Sequence, residues 1–148
     1  MNKPPAIAIE RVDHIGIRVR DLDRAMAFYG ALGFELHHKV TFDAVAIIKN
    51  PAGVEINLIL NANAGDPAKN ILMDVPEKYA GYTHVALGVA SIADTIAALK
   101  AHDIAITQGP VTFGDGGTSV FVRDPDRNVI ELRSHVTEQV AAKQYVPE

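Results

Sequence analysis

From 12 to 20 the chain alternates: His14, Gly16 and Arg18 fall on one side of an extended segment, and Ile15, Ile17 and Val19 on the other. A period of two marks a half-buried strand with one face for the core and one left open. A helical period follows. With Asp21 as cap, Leu22, Met26, Tyr29 and Leu32 share one stripe until Gly33, where a left-handed residue can end the helix. Strands are expected at 34–38, 44–48 and 54–60, with turn chemistry at Asn50-Pro51-Ala52-Gly53. The order is βαβββ.

That order is then repeated. VDHIGIRV at 12–19 lies over YTHVALGV at 82–89, which sets His14 on His84 seventy positions later. Strands are expected at 83–89, 104–108, 118–123 and 128–134, and a helix at 92–101 capped by Ser91 with Ile92, Ile96 and Leu99 on one stripe. NPAGVEINL at 50–58 lies over DPDRNVIEL at 124–132, so Asn57 falls on Glu131. The offset there is 74, so the second copy carries four extra residues, placed in the glycine-rich stretch 109–117 and read as a candidate mobile lid. One domain is expected: unit one at about 10–61, a linker at about 62–81 with a short turn near 70–75, unit two at about 82–134, and a tail at 135–148. A short helix is expected in that tail over 137–145.

Composition narrows the partners. With 148 residues, 48% of them hydrophobic and 22% charged, the chain can bury one ordinary core. A formal charge of −4 without a basic cluster argues against nucleic acid and against an anionic membrane surface. There is no cysteine, so any metal must be held by His, Asp or Glu. The start lacks a signal-peptide core and no apolar run approaches a spanning length, so a cytoplasmic location is expected. Asp124-Pro125-Asp126 reads as a tight turn, and His38, His102 and His135, without repeat partners, read as surface residues.

Strand parity lets His14 and His84 point into one concavity, and puts Glu131 on a face with Val129 and Arg133. The duplicated βαβββ order, the histidine opening each copy and the DPDRNVIEL segment closing on a carboxylate together resemble the vicinal oxygen chelate superfamily. That group includes glyoxalase I, methylmalonyl-CoA epimerase, extradiol dioxygenases and the fosfomycin and bleomycin resistance proteins. The resemblance spans 10–134. It implies an α+β fold whose two tandem βαβββ units form a curved, half-open barrel sheet around one divalent ion (Zn, Ni, Fe or Mn), in a homodimer acting on a small-molecule substrate. It further implies His14, His84 and Glu131 as metal ligands, with Glu131 also the catalytic base. Two imidazoles and a carboxylate hold a divalent ion and leave positions open for adjacent substrate oxygens.

The fourth ligand place of the family falls on Asn57, which offers an amide oxygen or a substrate hydrogen bond but takes no proton. Glu55 shares its face about 6.6 Å along the strand, and reaches the metal only if the register slips. Arg18 matches an arginine that glyoxalase I uses for a substrate carboxylate. Ser119 and Phe121 share a face and are expected to line the substrate pocket; Phe121 stands where dioxygenases and fosfomycin transferases carry a tyrosine. The stretch 108–119 contains neither Lys nor Arg, which argues against a phosphonate pocket. The resemblance implies a glyoxalase-I-like lyase or isomerase, with a ring-cleaving iron dioxygenase or a metal-free binding protein as alternatives.

Overall fold

The computed structural model describes residues 2–40, 42–63, 65, 67–137, 140 and 143–144. Unit one runs Ile15–Arg18 (β1), Leu22–Tyr29 (α1), Glu35–Lys39 (β2), Val45–Lys49 (β3) and Glu55–Ile59 (β4). Unit two runs His84–Gly88 (β5), Ile92–Ala101 (α2), Ile106–Thr112 (β6), Thr118–Arg123 (β7) and Val129–Ser134 (β8), and Lys143–Gln144 (β9) follows. The sheets are ordered β1-β4-β3-β2 and β5-β8-β7-β6-β9. In each, the first strand pairs in parallel with the last of its copy, and the other pairs within the copy are antiparallel. A parallel pair requires a long crossover, and the helix is part of it.

Both helices start as their caps dictate. The Asp21 side chain accepts from Arg24 N and the Ser91 hydroxyl from Asp94 N, each filling a donor that the first turn leaves unpaired. α1 buries Ala25, Phe28 and Tyr29, and Gly33 turns the chain into β2 with φ +93°. The apolar faces of both copies feed one core, in which Ile17, Ile48, Ile56 and Leu58 of unit one join Leu99, Val120, Ile130 and Leu132 of unit two. The opposite faces of β1 and β5 stay open, so Gly16 and Arg18 are exposed, as are His84, Ala86 and Gly88.

The copies are locked together at the 124–128 turn. Asp124 Oδ1 accepts from the backbone N–H groups of Asp126 and Asn128, and its Oδ2 accepts from the buried Tyr29 hydroxyl at 2.7 Å. Arg24 donates to Asp126 Oδ1 and to the Pro125 carbonyl, both at 3.0 Å, while Asn128 Nδ2 reaches back to the Arg18 carbonyl. This tight turn is therefore also the socket in which unit one is seated. The linker is fastened to the same corner. Asn70 caps its own turn and donates to the Arg127 carbonyl, and Arg123 holds both oxygens of Asp74 at 2.9 Å.

Four expectations need correction. β1 begins only at Ile15, which pairs with Ile56, and His14 stands one residue ahead of the ladder, opposite Glu55. β6 extends to Thr112 and absorbs Gly109 and Pro110 through register shifts. What remains of the supposed lid is a hairpin turn, closed by Phe113 N donating to the Gly117 carbonyl at 2.8 Å. In the tail, Lys143 and Gln144 pair with Val111 and Thr112 as a strand where a helix was expected; the rest of that expectation lies largely outside the described residues. Among the described residues no helix is long and apolar enough to cross a membrane.

Two predictions follow from these locks. Tyr29→Phe removes a buried donor to a carboxylate and should cost about 1–3 kcal/mol in urea unfolding. The Asp74 carboxyl is held below its ordinary pKa of 3.8 by the hydrogen bond from Arg123. A lowered folded-state pKa stabilises above the unfolded value and is lost as pH falls through the folded one. The stability gap between wild type and Asp74→Asn should accordingly be constant above pH 3.8 and shrink at lower pH.

Candidate metal and substrate site

The parallel pairings decide which side chains meet. In unit one Gly16 stands opposite Asn57, and in unit two Ala86 stands opposite Glu131, so Asn57 and Glu131 occupy equivalent ladder places. Glu131 is 7% exposed, unusual for a carboxylate, and is held at both oxygens. The Ser119 hydroxyl donates to Oε2 at 2.6 Å and His84 Nε2 lies 3.0 Å from Oε1. Phe121, opposite Glu131 on β7, sets its ring edge-on to His84 with centroids 5.9 Å apart. His84 Nδ1 contacts the Thr83 hydroxyl at 2.9 Å, which ties the second ring nitrogen. His84, Glu131, Ser119 and Phe121 therefore form one cluster.

Unit one is more open. His14 Nδ1 lies 2.7 Å from Asp13 Oδ1 and 3.7 Å from Glu55 Oε2, and Lys49 approaches the other Glu55 oxygen at 3.4 Å. The hydrogen bond to His14 holds the Asp13 carboxyl below the usual range. Among the described residues, Asp13, His14 and Glu55 are the group of three whose ligand atoms lie within 4.8 Å of one another. No slip of register brings Glu55 there: because His14 precedes the ladder, its neighbour along β4 is residue 55. Asn57 Oδ1 is buried with no hydrogen-bond partner. A buried acceptor left unpaired costs about 1–3 kcal/mol, so this atom fits a place kept for a cation or a donor.

His14 and His84 border the same cavity, about 510 Å³, between the open edges of β1 and β5, with Arg18, Asn70, Leu72, Tyr82 and Asn128 also on its wall. Arg18 donates through Nε to Asn61 Oδ1 at 2.9 Å, which aims its guanidinium along that wall. Ser119, Phe121 and Glu131 lie on the adjoining strands β7 and β8. Nitrogen and oxygen donors of this kind suit a divalent ion of the zinc, nickel, iron or manganese type.

A family model for the Glyoxalase/Bleomycin resistance protein/Dioxygenase superfamily matches residues 11–132. The chain belongs to this superfamily. It is 33% identical over 131 residues to a lactoylglutathione lyase of Haemophilus influenzae, covering 80% of this chain and 88% of that protein. It is 30% identical over 132 residues to the glyoxalase domain-containing protein RDO1 of Mycosarcoma maydis, covering 87% and 70%. The structure of a glyoxalase/dioxygenase from Nostoc punctiforme superposes with a TM-score of 0.68 at 23% identity, over 89% of this chain and 98% of that one. That likeness shows the glyoxalase fold.

Seen as a superfamily member, this chain has two side chains at its site to which the sequence assigned no role: Asp13 beside His14, and Arg133 beside Glu131, with Nη1 3.9 Å from Oε2. Glu55, expected to approach only on a register slip, also stands near His14. Arg133 had a legible signal, being two residues past Glu131 on the same face. Asp13 had none, since its contact with the neighbouring His14 is a matter of side-chain rotamer. Removing the Ser119 donor with Ser119→Ala should leave a buried carboxylate oxygen short of one hydrogen bond, and lower unfolding stability by about 1–3 kcal/mol in urea titration.

Proposed function

We propose that this protein is a divalent-metal-dependent lyase or isomerase of the glyoxalase I kind, acting on a small molecule that presents two adjacent oxygens. The observation that carries the reading is the contact of His84 with the buried Glu131 beside a cavity that His14 also borders. The Haemophilus influenzae relative, named a lactoylglutathione lyase, supports it. His14, His84 and Glu131 would hold the ion, with the unpaired Asn57 oxygen as a weak fourth donor. When bound, such an ion supplies Lewis-acid stabilisation of negative charge developing on a substrate oxygen.

The chain's own residues supply the proton chemistry. Glu131 takes a proton from the hydroxyl-bearing carbon and returns it to the neighbouring carbonyl carbon, while the hydroxyl proton passes to the former carbonyl oxygen, so the reaction is a balanced 1,2-shift without a redox partner. Ser119 fixes Oε2 of Glu131, and Oε1, which lies against His84 Nε2, is the oxygen that would carry the proton. Asn57 takes no proton, which makes the shuttle one-sided and places both transfers on Glu131. Arg18 meets an anionic end of the substrate on the cavity wall. Phe121 packs edge-on against His84 and helps to hold its ring beside Glu131. A homodimer belongs to the same reading: β2 is exposed along its whole length, with Leu36 and Phe42 adding apolar surface nearby.

A ring-cleaving iron enzyme is the second reading, favoured by the neutral Asn57, which leaves a two-histidine, one-carboxylate set. Elemental analysis of untagged protein, purified without chelators beside His84→Ala, tests both. We expect about one ion per chain, lost in the variant, and turnover of a methylglyoxal–thiol adduct or of an epimerisable acyl thioester, assayed in parallel. Iron with oxygen uptake on catechol would select the second reading. No ion after reconstitution would overturn both in favour of a metal-free binding protein. Asn57→Glu places an anionic oxygen where a neutral one stands, and should tighten ion binding by about tenfold or more.

A further inference from the structure

Arg133 has no part in the chemistry above, yet its surroundings are more closely built than any other cation's at the site. Its guanidinium lies over the Phe113 ring, 4.7 Å from the centroid, and against Gly117, where a Cβ would run into it. Nη2 donates to both oxygens of Asp115 at 2.7 Å, and Nη1 donates to Ser119 Oγ at 3.3 Å. The Arg133 side chain is 18% exposed and that of Asp115 58%. A largely buried cation beside the proposed base is thus held by a carboxylate that stands mostly in water.

Burying a guanidinium is costly unless it is paired. Glu131 does not complete the pairing, because 3.9 Å is beyond hydrogen-bond range and its oxygens already face Ser119 and His84. Asp115 does. The hairpin it sits on is closed by Phe113 N to the Gly117 carbonyl at 2.8 Å and Gly116 N to the Phe113 carbonyl at 2.9 Å, and Asp115 Oδ1 also accepts from Gly117 N at 3.0 Å, so the turn has backbone closures besides the contact with Arg133. Asp115 therefore stands where a ligand carboxylate would stand on the fork of an arginine. The stretch 108–119 has no cation of its own, and Arg133 supplies one to it from β8.

We infer that Arg133, two places from Glu131 on β8, is an oxyanion-binding residue, and that Asp115 is the internal carboxylate a substrate's anionic group displaces. That the anion belongs to the substrate rests on the reading of Glu131 as the reacting end of the same site. Residues two apart on one strand face are about 6.6 Å apart, so the charged group lies within a few bonds of the reacting carbon. The substrate class is a small acid bearing a carboxylate or phosphate-like group close to its adjacent oxygens.

The test titrates inorganic phosphate and succinate by calorimetry into the full chain, as purified and again after chelation. Asp115→Asn should tighten at least one of the two by about tenfold, because the internal competitor loses its charge. Arg133→Gln should abolish that binding, and Arg133→Lys should weaken it, an ammonium having no planar fork. Equal affinities in wild type and Asp115→Asn would overturn the inference even if Arg133→Gln failed to fold. So would anion binding that survives a folded Arg133→Gln. A loss of stability in Asp115→Asn with no gain in anion affinity would mark a purely structural hairpin pair. Because the anion is titrated with and without metal, a missing ion and a missing anion site are separate outcomes.

Discussion

Everything at the site depends on the parallel pairing of the first and last strand of each copy. It joins residues more than forty positions apart, Gly16 with Asn57 and Ala86 with Glu131, and fixes which carboxyl or amide stands beside which histidine. A parallel ladder gains nothing until its long crossover is closed. The helices and their caps at Asp21 and Ser91 make that closure local and definite. The same alternation that buries Ile17 and Leu58 leaves the histidine faces open, so core and site are two consequences of one register.

The copies have used this shared frame differently. In unit two the carboxylate is buried and answered by Ser119, His84 and, further off, Arg133, which fixes its direction. In unit one the equivalent place holds a neutral amide with an unpaired oxygen, and charge sits instead on Asp13 and Glu55, nearer the surface. A buried charge needs partners on every side, and unit two has them. Unit one avoids that cost by putting Asn57 in the buried place. The result is a site with one strongly built half and one permissive half.

Holding two such halves beside one cavity requires that the copies not slide. The lock is polar and buried: the Tyr29 hydroxyl on Asp124, with Arg24 on Asp126 beside it. Burial raises the Asp124 pKa, while hydrogen bonds from Asn128 and Tyr29 oppose that rise. Satisfied networks of this kind favour one relative placement over its neighbours, since a shift strands several groups at once. The linker turn, tied through Asp74 to Arg123, then carries Asn70 and Leu72 to the cavity wall.

The sequence by itself determined the duplicated βαβββ order, the helix caps, the buried faces and the equivalence of Asn57 with Glu131, because periodicity and the two NP/DP segments are local and repeat in order. It was weaker at element ends. His14 fell one residue ahead of β1, and residues 109–112 joined β6 because β7 was there to pair with them. Only the tertiary structure decided that His14 turns toward Asp13 and Glu55, that Arg133 folds over Gly117 onto Asp115, and that the 124–128 turn is the socket for α1. Such contacts join side chains distant in sequence or set by rotamer choice. No period along the chain encodes them; they follow from the closing of the sheets and the burial of charge between them.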